Sequence, residues 1–400
     1  MTMIKLAKSS KCTGCMVCVD ACPKSAIDGV IGQDGHYYPR IDESKCVECK
    51  LCTKACPVIS APHSNSTGMA VAYGAWSDVN DYRKTSTSGA VFPTIAKYVI
   101  ENGGCAIGVT MEDSIANHIV IDNVADISLL QGSKYQQSDT RNIYRQCKDI
   151  LKSGKQVVFS GTPCQVAGLH SYLKRDYPNL ITVDVICAGV PSKLVVDKYR
   201  SVKPDMKLIS YRDKVGGWHG GLCVTSEEDR KIVRKSKDGY IFGQAVAGHQ
   251  TDRYSCYNCQ FATVDRVADI TIGDFWGGDK VFPEQKQKGI SVLVVRSSKG
   301  EEILKKSGVS IHETELTTAF RHNPRILFGK NLTGRYKLER RFMKWLIPIM
   351  PYNLYAALYA GVYNSKIYLP IKLYRYIMWK IDTRYVKNRI ANIIKKNNGH

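Results

Sequence analysis

Residues 12–23 read CTGCMVCVDACP, and residues 46–57 read CVECKLCTKACP. Both stretches have the spacing Cys-x2-Cys-x2-Cys-x3-Cys-Pro, so the chain contains one motif twice. Each run places three cysteines close together and a fourth slightly farther along, which suits the thiolate ligands of a cubane 4Fe-4S cluster. The repeated motif therefore predicts two clusters near the start of the chain. It also implies that the remaining residues exchange electrons with them.

The repeat resembles a bacterial-type two-cluster ferredoxin domain, in which the fourth cysteine of each run ligates the other cluster. The resemblance implies one cluster held by Cys12, Cys15, Cys18 and Cys56, and a second held by Cys46, Cys49, Cys52 and Cys22. Zinc ribbons usually show paired Cys-x2-Cys units with a long spacer and no third cysteine two residues on. Disulfides do not explain a repeat that ends in proline. Both alternatives are therefore disfavoured.

The composition indicates a cytoplasmic protein of several domains. The chain has 400 residues, enough for two or three domains with a well-buried main core. Eight of its 15 cysteines lie in the two runs, so the count points to a reducing compartment and not to a secreted disulfide scaffold. Residues 1–11 lack the apolar core of a signal peptide, and no apolar stretch of about 18 residues predicts a transmembrane helix.

The charge is strongly positive. The formal net charge is +21 with the cysteines counted as neutral. An oxidised cubane with four thiolates carries about −2, so two or three clusters remove only part of this excess. A chain that remains basic favours an acidic partner, a phosphorylated substrate or an anionic membrane surface.

The order of predicted elements divides the chain into four parts. Residues 1–60 are expected to form an α+β ferredoxin domain with a hairpin around Asp34 and Gly35, and a polar linker follows at 60–68. From residue 69, strand-like runs alternate with helical periodicity, which predicts an α/β domain with a mainly parallel sheet. Its N-terminal part is placed at 69–200 and its C-terminal part, with a Cys-x2-Cys pair, at 201–330. Residues 331–400 form a separate helical tail.

Six stretches in order resemble the beta-subunit family of coenzyme F420 hydrogenases and dehydrogenases. They are Ser88-Gly89, KYQQS (134–138), GTPCQVAGL (161–169), ICAGVPS (186–192), Cys256-x-x-Cys259 and ADITIGDFWG (268–277). With the ferredoxin runs, the resemblance covers about residues 1–330. It implies a flavoprotein that carries FAD and iron-sulfur clusters, and hence an α/β domain that binds flavin. Bacterial members of similar layout often belong to exopolysaccharide or cell-surface glycan synthesis.

The residues themselves agree in part with a flavin site. A flavin links two-electron organic chemistry to one-electron clusters, so a ferredoxin fused to an α/β domain suggests one. No G-x-G-x-x-G fingerprint follows the first strand, so a plain dinucleotide fold is not supported. Small residues at helix starts leave backbone N–H groups free for phosphate. The candidate contacts are Ser88, Gly89, Lys134, Gln137, Ser138 and Thr162. The alternative is that Ser88 caps a helix and Lys134 lies in an ordinary loop.

Four further cysteines could hold a third cubane between the flavin and the ferredoxin. They are Cys164, Cys187, Cys256 and Cys259. Two follow predicted strands at turns with Pro or Gly, and two form a Cys-x2-Cys pair. A structural zinc is the alternative. The third interpretation is that Cys164 and Cys187 are buried small apolar residues, as free cysteines often are.

A catalytic acid or base is less well defined. The family often has His after the cysteine of the ICAGVPS stretch, and here that position is Ala188. His219, in a Gly-rich and aromatic loop, is the candidate for a proton-transfer role, with His249 as a second choice. A lone His is more often an ordinary surface or core residue. Asp274 and Trp276 are interpreted mainly as residues that shape a turn near the Cys256 pair.

The tail combines positive charge with aromatic side chains. Residues 331–400 contain 14 Lys and Arg against one Glu and one Asp, a net charge of +12. Nine Trp and Tyr residues are interleaved with them, from Trp345 to Trp379. This combination fits a segment on an anionic membrane surface and suits a lipid-linked glycan substrate. A helical cap on the core is the equal alternative, and nucleic-acid binding is unlikely.

Together these features predict an iron-sulfur flavoprotein oxidoreductase in the cytoplasm, with a peripheral place at the inner face of the membrane as one option. Electrons would pass between the 4Fe-4S clusters and FAD to reduce or oxidise an organic substrate or carrier. The redox partner would be a ferredoxin-like protein, a reduced deazaflavin or a nicotinamide carrier. The alternative is an electron-relay subunit that serves a catalytic partner and has no substrate site of its own.

Overall fold

The chain begins with a small α+β unit. The computed structural model describes residues 4–62, 70–212, 214, 217–218, 225–226, 251–321, 323–326, 335–354 and seven positions between 373 and 392. The first range contains α1 (Val17–Asp20), β1 (Ile27–Ile31), β2 (Tyr37–Ile41) and α2 (Leu51–Lys54). β1 and β2 pair antiparallel, with Ile31 opposite Tyr37. The hairpin predicted around Asp34 and Gly35 is therefore present.

The described part of the remaining chain contains ten strands, and eight of them form one sheet. The strands are β3 (Val71–Ser77), β4 (Cys105–Glu112), β5 (Ile115–Ile121), β6 (Val157–Gly161), β7 (Leu180–Val185), β8 (Leu208–Ser210), β9 (Thr225–Ser226), β10 (Ile270–Asp274), β11 (Ser291–Val295) and β12 (Val309–Thr314). The sheet has the spatial order β12-β3-β11-β10-β7-β6-β4-β5, and β8 and β9 form a separate pair. The four strands β10, β7, β6 and β4 are parallel to one another.

Helices cover both faces of the sheet. They are α3 (Asn80–Thr85), α4 (Val91–Glu101), α5 (Ile127–Leu130), α6 (Ile143–Lys152), α7 (Pro163–Leu173), α8 (Lys193–Val202), α9 (Tyr254–Tyr257), α10 (Ser298–Ser307), α11 (Leu316–Arg321) and α12 (Arg335–Ile349). On one face, Ile95 of α4 and Leu304 of α10 pack against sheet residues such as Val158. On the other, Tyr144 of α6 and Leu169 of α7 pack against Phe159. The result is a three-layer α/β domain.

The predicted α/β architecture is confirmed, with an addition that the sequence did not indicate. Five strands, the four central ones and β3, run in one direction, whereas β5, β11 and β12 run antiparallel to their neighbours. Strands from 69–200 and from 201–330 join the same sheet, because β10 pairs with β7. The carboxyl ends of β3, β6, β7 and β10 meet at one edge, where the start of β11 also lies. Such an edge is the usual ligand-binding place in open α/β sheets.

The ferredoxin-like unit is joined to the α/β domain through the start of α6. The Asp20 carboxylate, from α1, accepts hydrogen bonds from the backbone N–H groups of Asn142 (2.7 Å) and Tyr144 (3.0 Å). Asn142, the N-terminal flanking residue of α6, makes no side-chain cap of its own. Arg145 donates in the opposite direction, to the carbonyl oxygens of Asp20 (2.7 Å) and Cys22 (2.9 Å). Asp20 therefore provides the cap that α6 lacks.

The described part of the tail packs on α8. Tyr352, just after α12, makes an edge contact with Tyr199 at 5.5 Å, and Ile347 is buried in the same small cluster. Lys198 of α8 donates to the Met350 carbonyl oxygen at 2.6 Å. Within the described residues, no helix has the length and apolar character needed to cross a membrane. All of the aromatic residues after Tyr352 lie outside the described part of the chain.

Candidate functional site

Two cavities in the ferredoxin-like unit are each surrounded by four cysteines. The outer cavity is lined by Cys22, Cys46, Cys49 and Cys52, together with apolar side chains such as Ile27. Its empty space is about 340 Å³, including the part open to solvent. One residue of the first run therefore stands with three residues of the second. This is the grouping implied by the resemblance to two-cluster ferredoxins.

The inner cavity has the complementary set. It is lined by Cys12, Cys15, Cys18 and Cys56, with an empty space of about 350 Å³. Apolar neighbours, among them Met16 and Val58, close it further. Cys56 of the second run thus stands with three cysteines of the first. Metal ligation by these residues remains a prediction. The grouping of the four cysteines around the cavity is the one that such ligation requires.

The two cavities differ in their access to solvent. Cys12, Cys15 and Cys18 of the inner cavity are buried, whereas Cys49 of the outer cavity is exposed. Burial, followed by the neighbouring thiols of Cys15 and Cys12, raises the pKa of the Cys18 thiol well above its usual value. Without a positive partner these groups would be neutral thiols. Iron supplies that positive charge, so a buried set of four cysteines in an apolar cavity fits a cluster.

The third cysteine group, comprising Cys164, Cys187, Cys256 and Cys259, also comes together. Cys164 is in the first turn of α7, Cys187 follows β7, Cys256 lies in α9 and Cys259 shortly after it. Burial raises the pKa of Cys164 to about 11, and the nearby Cys259 thiol acts in the same direction. Cys256 and Cys259 each lie close enough to Cys187 to have their pKa values raised by it. Four cysteines from two separate halves of the chain therefore lie near one another.

The third cysteine group adjoins the inner cavity. The Cys164 thiol lies close enough to Cys15 to contribute to the raised pKa of that residue, after the larger effect of burial. Gly168 of α7 also lies beside Cys15, since a Cβ there would be 3.5 Å from the Cys15 Sγ atom. Together with the outer cavity, these groups form a continuous series of cysteines. It runs from exposed Cys49 to the carboxyl edge of the sheet.

The described residues contain no tight group of ligands for a single metal ion. Across the described part of the chain, no three His, Cys, Asp or Glu side chains converge as tightly as the ligands of one metal ion. That statement includes the two ferredoxin runs as well as the third group. A zinc ion holds four sulfur atoms at about 2.3 Å from one point. A cubane occupies the middle of its site and keeps its four cysteines farther apart.

Ser88 and Gly89 lie at the carboxyl edge, directly before α4. The Ser88 hydroxyl donates to the Ile290 carbonyl oxygen (2.8 Å), and the Gly89 N–H donates to the Ser291 hydroxyl (3.0 Å). A Cβ at position 89 would approach the Ser291 backbone nitrogen to 2.8 Å, so only glycine fits there. These residues bring the start of α4 against β11. Their own hydrogen-bonding groups are used within the protein.

One lysine, Lys214, binds the backbone directly before this helix start, and a second, Lys134, binds the backbone at the end of α5. The Lys214 ammonium donates to the carbonyl oxygens of Ser88 (2.6 Å) and Arg83 (2.7 Å). Lys134 donates to the carbonyl oxygens of Leu129 (3.1 Å) and Gln131. Burial lowers the pKa of both lysines to about 7. Amide groups at the start of α4 and two partly buried ammonium groups make this corner suitable for an anion. Lys214 and Arg83 were not recognised in the sequence.

The other three predicted flavin residues have different surroundings. Gln137 donates to the Gly14 carbonyl oxygen at 2.6 Å, so it contacts the loop of the inner cavity. Ser138 is buried and accepts a hydrogen bond from Gln165 at 2.8 Å. Thr162 forms a capping box with Gln165 at the start of α7, and its hydroxyl lies 3.2 Å from the Cys164 sulfur. These residues therefore border the cysteine groups more closely than the Ser88 corner.

The residues around Asp274 form a polar and aromatic wall near the same edge. Asp274 pairs with Arg212 and accepts a hydrogen bond from the Trp218 indole at 3.0 Å. Trp218 and Trp276 stack with their ring centres 6.0 Å apart, and 39% of the Trp276 surface is exposed. Asp274 thus holds an aromatic pair in place, which agrees with the structural interpretation of this residue. His219 and His249 lie outside the described residues.

Comparisons with known proteins agree with both halves of this arrangement. Residues 11–59 match the model of the 4Fe-4S dicluster domain. Residues 154–318 match the model of the C terminus of the coenzyme F420 hydrogenase/dehydrogenase beta subunit. The chain therefore combines a segment that matches the 4Fe-4S dicluster domain with a segment similar to the C terminus of the coenzyme F420 hydrogenase/dehydrogenase beta subunit. The first match covers both cysteine runs, and the beta-subunit match covers the third cysteine group.

One solved structure shares a remote similarity. It is a xenon derivative of the F420-reducing nickel-iron hydrogenase complex from Methanosarcina barkeri. The match covers 69% of this chain and 89% of that chain, at 17% identity and a TM-score of 0.43. No curated protein matches the chain. The two domain matches are therefore the similarities from which a function can be proposed.

Replacing Cys22 by Ala should remove about four iron atoms per chain, because it takes one ligand from the outer cavity and none from the inner. Adding Cys49→Ala should cause no further loss, since both residues line the same cavity. Adding Cys15→Ala should raise the loss to about eight. Iron would be assayed on anaerobically purified protein. Cys147→Ala, in the core of the α/β domain, is the control that keeps its iron.

The two double variants decide the grouping. If each run held its own cluster, Cys22→Ala with Cys15→Ala would lose no more iron than Cys22→Ala alone. That result would overturn the crossed assignment.

Proposed function

We propose that the chain is an iron-sulfur flavoprotein oxidoreductase that passes electrons between a redox partner and an organic substrate or carrier. The observation that carries the proposal is the series of three four-cysteine groups from exposed Cys49 to the carboxyl edge of the sheet. Iron-sulfur clusters transfer single electrons, and a flavin couples such transfers to two-electron chemistry. The family relationship supports an electron-transfer role of this oxidoreductase type.

The protein would contribute to electron transfer by positioning the clusters and by excluding water from them. The inner cavity has buried cysteines and apolar walls, so its cluster would be shielded from solvent. The outer cavity opens at Cys49, between the exposed residues Val47 and Lys50. A redox partner would therefore meet the outer cavity first. A ferredoxin-like protein, a reduced deazaflavin or a nicotinamide carrier remain the proposed partner classes.

FAD is proposed to bind at the carboxyl edge beside α4. The start of α4, with Lys214 and Lys134 beside it, would hold the pyrophosphate, since both features favour an anion. Trp276 offers an exposed aromatic surface near the same edge, where Arg212 lies 5.5 Å from its ring centre. Gln137, Ser138 and Thr162 would act indirectly, by fixing the loops between the flavin and the cysteine groups.

The second candidate is an electron-relay subunit without a substrate site of its own. It is favoured by the hydrogen bonding of the predicted flavin residues, because Ser88, Gly89 and Ser138 already bond to groups within the protein. In that case the chain would hold clusters alone and serve a catalytic partner. A role in polysaccharide or cell-surface glycan synthesis, in the cytoplasm, remains part of the first proposal and depends on the resemblance alone.

An anionic membrane surface is the proposed partner of α12. One face of this helix is fixed to the core by Ile347. The opposite face presents Trp345, 73% exposed, and Ile349, 78% exposed, one turn apart. Arg341, one turn before Trp345, is exposed on the same side. Apolar side chains beside cations, with an exposed Trp among them, are typical of helices that lie in the lipid headgroup region.

The oxidoreductase proposal predicts about 12 iron atoms and one FAD per chain after anaerobic purification. Cys259→Ala should lower the iron to about 8 and leave the two ferredoxin clusters intact, because only the third cysteine group loses a ligand. Iron assay, flavin extraction and the visible spectrum measure these quantities. About 8 iron without flavin in the unchanged protein would reject the flavoenzyme and favour the electron-relay subunit.

FAD affinity should depend on pH through Lys214. Burial, with the neighbouring Arg83 charge as a smaller cause, lowers the pKa of Lys214 to about 7, so its ammonium is lost as the pH rises through that value. Between pH 6 and pH 8 the affinity should fall about tenfold, since the bound phosphate favours the protonated lysine. Lys214→Met should bind FAD weakly at both pH values. Lys97→Met, which removes an exposed lysine paired with Glu101, is the matched control.

The dependence on pH is measured by flavin fluorescence in titrations of the apoprotein. Equal pH dependence in the Lys214→Met variant and the unchanged protein would exclude Lys214 from the flavin site.

Membrane binding should depend on the exposed face of α12. Trp345→Ser combined with Ile349→Ser should weaken binding to phosphatidylserine-containing vesicles at least about tenfold, because it removes two apolar side chains from the headgroup region. Co-sedimentation at low and high salt is the measurement. Ile31→Ser, at an exposed apolar residue of β1, is the control. If the unchanged protein ignores anionic vesicles, the face of α12 serves another partner.

A further inference from the structure

Arg253 is a fully buried cation at the junction of the two domains. It lies just before α9, and its side chain has no exposed surface. Its guanidinium donates to the carbonyl oxygens of Tyr37 (2.6 Å) and Cys12 (3.3 Å) and to the Gln137 amide oxygen (2.6 Å). It also lies over the Tyr38 ring, 4.7 Å from its centre. Every one of these contacts is with a neutral group.

No carboxylate balances this charge within the described residues. None of the ion pairs there includes Arg253, and its Nε–H, although buried, has no hydrogen-bond partner. Asp252, the preceding residue, turns its carboxyl group toward Gly189 and the charges of Arg325 and Arg340. A buried guanidinium without an anion is costly, because burial removes water that would otherwise stabilise the charge. The site therefore indicates a negative group that the side chains do not supply.

The position of Arg253 indicates what that negative group is. Its guanidinium donates to the carbonyl oxygen of Cys12, which belongs to the inner cavity. Its own carbonyl oxygen accepts a hydrogen bond at 2.9 Å from the N–H of Cys256, which belongs to the third cysteine group. Arg253 therefore lies beside one cysteine of each set.

Gly14 shows how closely the guanidinium approaches the inner cavity. Its φ angle is +70°, which favours glycine. A Cβ at this position would lie 2.5 Å from a terminal nitrogen of Arg253, and closer still to the Gln137 amide. The cysteine loop and Arg253 are therefore in contact with no side chain between them. Ser255 adds a second donor to the Cys12 carbonyl oxygen, at 2.9 Å.

We propose that Arg253 is a positioning residue that balances the negative charge of the clusters at the inner cavity and at the third cysteine group and raises the reduction potential of both. This inference rests on the proposed function, since it requires clusters at both places. An oxidised cubane with four thiolates carries about −2, and reduction by one electron makes it more negative. A fixed buried cation stabilises the reduced cluster more than the oxidised one, because the attraction grows with the added charge.

The function of such a charge is to guide the electron inward. The two inner clusters would have a higher reduction potential than the outer one. Transfer to them of an electron that a one-electron donor delivers at the outer cavity would therefore be favourable. Within the described residues, the contacts of the Arg253 side chain with Cys12, Tyr37, Tyr38 and Gln137 include no residue that lines the outer cavity. The effect should therefore separate the two inner clusters from the outer one.

The test compares Arg253→Met, which removes the charge, with Arg253→Lys, which keeps it. Reduction of anaerobic protein would be followed by electron paramagnetic resonance at a series of fixed potentials. In Arg253→Met the reduction potentials of the two inner clusters should fall. At a given applied potential, the oxidised-to-reduced ratio of each should rise at least tenfold, which corresponds to about 59 mV for a one-electron couple. Arg253→Lys should retain most of the original potential. The outer signal should stay in place in both variants.

Controls make the outcomes distinct. Cys22→Ala and Cys259→Ala, each lacking one cluster, assign the signals. Arg340→Met removes another buried arginine of the same junction, one that pairs with Asp34 at 2.8 Å, and should leave the inner potentials unchanged. If Arg253→Met does not load iron, Arg253→Gln takes its place, because its amide can still donate to the carbonyl groups.

Two results would overturn the inference. Fully loaded Arg253→Met or Arg253→Gln protein with unchanged inner potentials would show that the charge has no effect on the clusters. Equal shifts in the lysine and methionine variants would show that packing, and not charge, is responsible. Both leave the proposed function standing. Absence of the inner clusters from the unchanged protein would instead overturn the proposed function itself.

Discussion

The structure depends on one constraint, which is that each cavity is lined by cysteines from both runs. Cys22 must reach the second run, and Cys56 must reach the first. The hairpin of β1 and β2 and the short helices α1 and α2 satisfy this constraint by folding the two runs against each other. With so small an apolar core, the ferredoxin-like unit depends on what fills its cavities and on the domain behind it.

The α/β domain supports the cysteine loops through their backbone carbonyl groups. Tyr144 and Thr140 both donate to the Cys15 carbonyl oxygen at 2.8 Å, Gln137 to that of Gly14 and Arg145 to that of Cys22. These donors come from a single stretch of chain, from 137 to 145. The loops therefore have a fixed place relative to α6 and α7, and with them to the third cysteine group. These hydrogen bonds hold the cysteine loops next to the third cysteine group.

The sequence allowed the local features to be predicted and left the long-range ones open. The motif spacing indicated both cysteine runs, and periodicity indicated the strands and helices at the centre of the α/β sheet. The antiparallel pairing of β11 and β12 with β3 was not predicted, since it is decided by packing and not by local pattern. Gln137 was interpreted as a flavin residue from its motif, yet its partner is 123 positions away at Gly14. The only feature of the sequence that draws attention to Arg253 is its position three residues before Cys256.

The cap that Asp20 provides for α6 has a consequence for biosynthesis. The ferredoxin-like unit leaves the ribosome first, and α6 follows about 120 residues later, so its first turn is completed by a segment that is already folded. When iron is scarce, that segment would not form in time. The start of α6 and the apolar surface around Tyr144 would then be exposed to proteases. The amount of protein in the cell would thereby follow the supply of iron, without any dedicated sensor.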